Sequence, residues 1–165
     1  MQIATLTALA AFPVLMIAAA LCDVATMTIP NRISLLLVPA FFAAALLARL
    51  SPEAIVWHAG VGLAALLVMA GCFAMGWLGG GDAKLLAAAS LWAGPHAAVP
   101  FVIATALAGG ALALALLFAR AVPWLYGRGP EWLRRLLTPN GAIPYGVAIA
   151  AGAIAAFPAS GLLAA

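Results

Sequence analysis

Apolar runs about as long as a bilayer is thick recur along this chain, separated mostly by short breaks. About 20 helical residues cross a hydrocarbon core. Inside that core every backbone N–H and C=O must find a partner within the chain, so only helices and closed barrels span it. A barrel would need short segments of alternating polarity, and none is visible. The expected fold class is therefore an all-α polytopic membrane protein. Composition agrees: 68% of the 165 residues are hydrophobic and 7% charged. Soluble domains hold about half and about a quarter. Once the helices are counted, no room is left for a separate soluble domain, so residues 1–165 are read as one membrane-embedded domain.

The spacing predicts six transmembrane helices, over roughly Ile3–Cys22, Ile33–Leu50, Ala54–Met75, Ala83–Ala93, Ala97–Ala119 and Ile143–Leu163. The opening "MQIATLT" has no basic residue, so it is read as part of a permanent first helix rather than a cleaved signal. Glu53 stands near the start of the third helix, where the macrodipole favours an acid. The fourth is too short to cross unaided. Either its flanks extend it, or neighbours bury it beside a water-filled dip lined by "GWLGGGD". "WLRRLL" reads either as a short interfacial helix or simply as a topology anchor. Cys22 and Cys72 form no CxxC pair and read as small buried hydrophobes.

Basic residues set the orientation. The segments after the first, third and fifth helices, about 23–32, 76–83 and 120–141, share one side. Arg32, Lys84, Arg120, Arg128, Arg134 and Arg135 lie in or beside them, and the other side has only Arg49. These segments are expected in the cytoplasm and both termini in the periplasm. The net charge of +3 does not suggest nucleic-acid binding.

The chain has four acids. Glu53 is placed outside, and Glu131 can pair with Arg128, Arg134 and Arg135. Asp23 and Asp82 remain, and both fall on the expected cytoplasmic side. Ionisable groups near membrane segments are functional candidates, although Asp82 could equally be a helix cap and Asp23 a solvated loop acid. His58 and His96 are isolated and read as packed or interfacial. Ser90 and Lys84 do not share a helix face, which argues against a Ser–Lys dyad. Paired carboxylates hydrolyse peptide bonds without a cofactor: one activates water while the other, protonated, polarises the carbonyl. Gly79, Gly80 and Gly81 would let an extended substrate approach the backbone. Asp23 was placed after a helix C-terminus, and Asp82 before a helix N-terminus with Lys84 close by. That placement puts the shared proton on Asp23.

"DVATMTIPN" followed by "GGGDAK" resembles the type IV prepilin peptidases, membrane aspartic proteases of the GxGD class. The first motif sets Asp23 six residues before Ile29, Pro30 and Asn31. The second is Gly79-Gly80-Gly81-Asp82 followed by Lys84. A third match is Pro144-Tyr145-Gly146 in "IPYGVAIAAG". The small size is similar to the Cpa/Tad-type enzymes that serve Flp pilus systems. The resemblance implies a leader peptidase of the bacterial inner membrane that acts on prepilins and pseudopilins at the cytoplasmic face. Asp23 and Asp82 would be catalytic. It implies no metal or other cofactor, and the larger members' cysteine-containing segment, linked to N-methylation, is absent from the sequence. Other functions weighed are a catalytically silent scaffold of a pilus or secretion system and a small transporter. Neither the pilin cleaved nor the oligomeric state can be read from the sequence.

Overall fold

A computed structural model describes residues 2–122 and 129–163; Arg128 lies outside them. The helices are α1 (Gln2–Thr26), α2 (Asn31–Leu47), α3 (Pro52–Ala74), α4 (Gly80–Arg120), α5 (Glu131–Leu137) and α6 (Tyr145–Ala156). A 3₁₀ turn over Phe157–Ser160 continues α6. No strand occurs among the described residues. The helices α1, α3 and α4 are long and apolar enough to cross a membrane, and α2 and α6 with its extension are shorter apolar helices. The expected all-α polytopic architecture is the one found.

The ends of the elements differ from expectation in instructive ways. Nothing in Asp23–Thr26 breaks a helix, and α1 runs through it. Its end comes at Met27, which is left-handed at φ 54 and returns its N–H to the Asp23 carbonyl at 2.7 Å, an αL cap. Asp23 is therefore in the last turn of α1 rather than in the following loop. At the other end of the chain, α6 stops at Ala156 because Pro158 cannot continue an α-helical ladder. The backbone tightens into the 3₁₀ turn, and Gly161 (φ 80) closes it. Ser51 caps α3 by accepting from the Ala54 N–H at 3.2 Å, with Glu53 in the first turn.

The expected fourth and fifth helices are the two arms of α4, which break apart at Gly94 with φ 61 and ψ −170. That backbone region is essentially reserved for glycine. A Cβ at Gly94 would also lie 2.3 Å from His58 Cε1. The buried His58 ring bonds the Leu91 carbonyl through Nδ1 at 2.9 Å and stacks on Phe41. The break is thus both permitted by glycine and plugged by a histidine. Gly94→Ala is expected to cost about 1–3 kcal/mol in backbone strain, plus the clash. Truncating His58 as well should relieve only the clash. Thermal unfolding of both variants in micelles checks this.

The arms of α4, residues 80–93 and 95–120, have different partners. Trp92, fully buried, is the hub of the core. It packs on Phe12, Phe41 and Phe157 at centroid distances of 4.9, 5.7 and 6.1 Å. Its indole N–H donates to the Leu37 carbonyl at 2.8 Å. The second arm packs on α6 closely enough that a Cβ at Gly152 would lie 2.5 Å from the Thr105 backbone nitrogen. In contrast, α3 packs on α4 and on little else, leaving most of its apolar surface outward.

The "WLRRLL" segment forms α5, with Leu136 and Leu137 buried. Glu131 pairs with Arg134 and Arg135, as expected of those two. The Arg120 guanidinium donates to the carbonyls of Leu136, Gly141 and Ala142. It thereby ties this segment to the end of α4.

Candidate active site

Three chain breaks converge at one end of the bundle. The end of α1 brings Asp23, the start of α4 brings Asp82 and the start of α6 brings Gly146. The opposite end gathers Ser51, Glu53, Trp57, His58, Pro95 and His96 around a small pocket of about 230 Å³.

Asp23 is buried, with a relative exposure of 5%. Its Oδ2 accepts a hydrogen bond from the Gly146 backbone N–H at 2.7 Å. The donor is one of the first N–H groups of α6, which have no partner within the helix. Pro144, expected to open this helix, is its N-cap. A Cβ at Gly146 would lie 2.8 Å from Asp23 Oδ2 and 2.9 Å from Ile29 Cδ1, so any side chain there would push the carboxyl or Ile29 aside. The Tyr145 ring packs on Gly109 of the second arm of α4, which holds the start of α6 in place.

Asp82 occupies the first turn of α4, and the N-cap is Gly79. The acid is thus inside the helix rather than its cap. Its carboxylate folds back so that a Cβ on Gly79 would meet Oδ2 at 3.1 Å. Asp82 lies near enough to Asp23 for the two charges to repel. Carboxylates close enough to repel resist ionising together.

The three glycines before Asp82 do different work. Gly80 faces the Phe73 ring and Gly81 faces Ile29, with added Cβ atoms 3.2 Å from each; Gly79 is exposed. Two of the three therefore serve close packing, and only Gly79 offers open backbone. Ile29 touches both Gly81 and Gly146 and so wedges between the start of α4, which carries Asp82, and the start of α6, which supplies the donor to Asp23. Neither this wedge nor the Gly146 donor was anticipated from the sequence.

Lys84 does not turn to Asp82. Its ammonium donates to Asn31 Oδ1 at 3.0 Å, linking the starts of α4 and α2, while Pro30 caps α2. The asymmetry that puts the proton on Asp23 keeps its helix-end part, since Asp23 is in the last turn of α1 and Asp82 in the first turn of α4, but it meets two opposing facts. The cation is engaged elsewhere, and Asp23 receives a helix N-terminal donor. The Lys84–Asn31 bond is exposed and worth about 0.5–1.5 kcal/mol. Lys84→Met is accordingly expected to lower any activity of the acid pair less than about tenfold, in steady-state assays beside the aspartate variants. Among the described residues, no group of three or more His, Cys, Asp or Glu could hold a metal.

Fold and site together define a polytopic membrane protein with two carboxylates from separate helices meeting at one end. Residues 10–114 match the type IV leader peptidase family (Peptidase_A24). The chain belongs to that family. It is similar to the prepilin leader peptidase/N-methyltransferase of Bacillus subtilis (strain 168), at 34% identity over 147 residues. That similarity covers 87% of this chain and 52% of the relative, so the chain spans about half the relative's length. No solved structure matches it.

Proposed function

We propose that this chain is an aspartic-type leader peptidase that cleaves type IV prepilins and pseudopilins of the Flp type. In this reading it sits in the bacterial inner membrane with the acid end facing the cytoplasm. The observation that carries the reading is the convergence of Asp23 and Asp82 at one end of the bundle, where Ile29 touches both Gly81, beside Asp82, and Gly146, the donor to Asp23. Two costly acids in largely apolar helices, brought to one place from distant motifs, are what hydrolysis by water activation requires. Family membership and the Bacillus relative support the substrate class. The excess of Arg and Lys near the acid end supports the orientation. Of the three glycines before Asp82, Gly79 is the one left to meet an extended substrate. Residues around the pair, including Ile29, Asn31, Lys84 and the Pro144-Tyr145-Gly146 turn, position groups and take no part in bond making.

Co-expression of a Flp-type prepilin with wild type, Asp23→Ala and Asp82→Ala tests the reading. Mature pilin should appear with the wild type alone. Release of mature pilin by both variants would refute the peptidase assignment and favour a silent scaffold.

A further inference from the structure

We propose that the amino end of α6 divides the labour of the acid pair: the Gly146 N–H holds Asp23 as the carboxylate that activates water and leaves the shared proton with Asp82. This rests on the peptidase reading and goes beyond it, because it assigns the two chemical roles and names the positioning residue.

The geometry is specific. The Gly146 N–H reaches Asp23 Oδ2 at 2.7 Å inside the protein, and an oxygen that accepts this bond is not the one carrying the proton. A backbone N–H at a helix start, reinforced by the dipole, stabilises negative charge. Among the described residues, no comparable donor reaches the Asp82 carboxyl. A side chain at this position would displace the carboxyl, since a Cβ there would stand 2.8 Å from Oδ2 and 3.1 Å from Asp23 Cβ. Glycine thus serves to bring a backbone donor onto the acid.

The ends of α1 and α4 act the other way, since Asp23 is in the last turn of one and Asp82 in the first turn of the other. Among the described residues, however, neither end gives a carboxyl a direct bond like that of Gly146, and the surrounding formal charges do not add to them. On α2, Arg32 is exposed. On α4, Lys84 is bonded to Asn31. On α5, Glu131, Arg134 and Arg135 pair among themselves. The titratable group of α6 is the Tyr145 phenol, whose ring packs on Gly109.

The reaction then closes on itself. Water gives a proton to the Asp23 carboxylate as its oxygen bonds the scissile carbonyl carbon, and Asp82 gives its proton to the carbonyl oxygen. In the second half the C–N bond breaks, and the leaving nitrogen takes the proton from Asp23. The re-forming carbonyl or carboxyl group returns a proton to Asp82. One water and one amide become an acid and an amine, and both aspartates regain their starting states.

Asp23 and Asp82 are the only aspartates in the chain, so aspartate labelled with ¹³C at the side-chain carboxyl reports on these two alone. In lipid vesicles, NMR across the active pH range should show an ionised signal from Asp23 and a protonated one from Asp82. Asp82→Glu and Asp23→Glu assign them. The reverse assignment overturns the proposal. A second measurement tests Gly146. Replacing the Tyr145–Gly146 amide with an ester, by ligating a synthetic C-terminal segment, removes the N–H and keeps the shape. The acid limb of the pH–rate profile should move up by about one pH unit, and kcat should fall roughly tenfold or more, with little change in melting temperature. An unchanged profile in a folded ester variant would defeat the proposal while leaving the peptidase reading intact. If the wild type cleaves no prepilin, the peptidase reading fails, and the NMR result still locates the proton.

Discussion

Asp23→Asn and Asp82→Asn should each lower prepilin cleavage by roughly 10²–10⁴-fold, the range for loss of one positioned acid or base. Asparagine keeps the size of the side chain, and at position 23 its amide oxygen can still accept the Gly146 N–H. Little else should change, so melting temperatures should stay near wild type. The double variant should lose no more than the weaker single variant already has, because two groups acting on one water fail as a unit. Single-turnover cleavage of a purified prepilin in vesicles measures all three. Additive losses, or a double variant far below both singles, would mean that the acids act separately.

The largest effect on stability is expected at Trp92. Trp92→Ala removes the ring that Phe12, Phe41 and Phe157 enclose and the N–H that meets the Leu37 carbonyl. The loss should be about 3–5 kcal/mol, as for other large-to-small core changes. Trp92→Phe retains most of the packing and removes mainly the hydrogen bond, worth about 0.5–1.5 kcal/mol. Denaturant titration in mixed micelles separates the two. An alanine variant no weaker than the phenylalanine variant would show that the aromatic cluster is not what holds α1, α2 and the first arm of α4 together.

Local signals in the chain carried a good part of this structure. Apolar run lengths defined the helices. The gap between the runs Ala83–Ala93 and Ala97–Ala119 marked the break in α4, and Glu53 marked the start of α3. Asp23 and Asp82 emerged by elimination, because a chain with four acids leaves few to explain. What was not legible depends on contacts between residues far apart in sequence. Lys84 bonds Asn31 across 53 positions, Trp92 bonds Leu37 across 55, and Gly146 bonds Asp23 across 123. No periodicity encodes such pairings. Lys84 was read beside Asp82 because two residues on a helix are near in sequence, yet its long side chain found a neighbour on α2. The glycines illustrate the same limit. Flexibility is a property of the residue, but Gly80 and Gly81 matter for what presses on them, and Phe73 and Ile29 reveal that only once the chain is folded.

The first arm of α4, residues 80–93, has a consequence for solvent. About 14 residues rise about 21 Å, whereas the hydrocarbon core is about 30 Å thick. Were its Gly94 end at one surface, the arm would stop about 9 Å short of the other, with Asp82 in the turn that borders the gap. A bilayer meets such a mismatch by thinning or by admitting water beside the protein. On the proposed peptidase reading, a notch so formed would bring water to the depth where a substrate's apolar helix gives way to its polar leader. A peptide bond there could be hydrolysed without the helix leaving the membrane, because the protein's own shortness carries the water down to it.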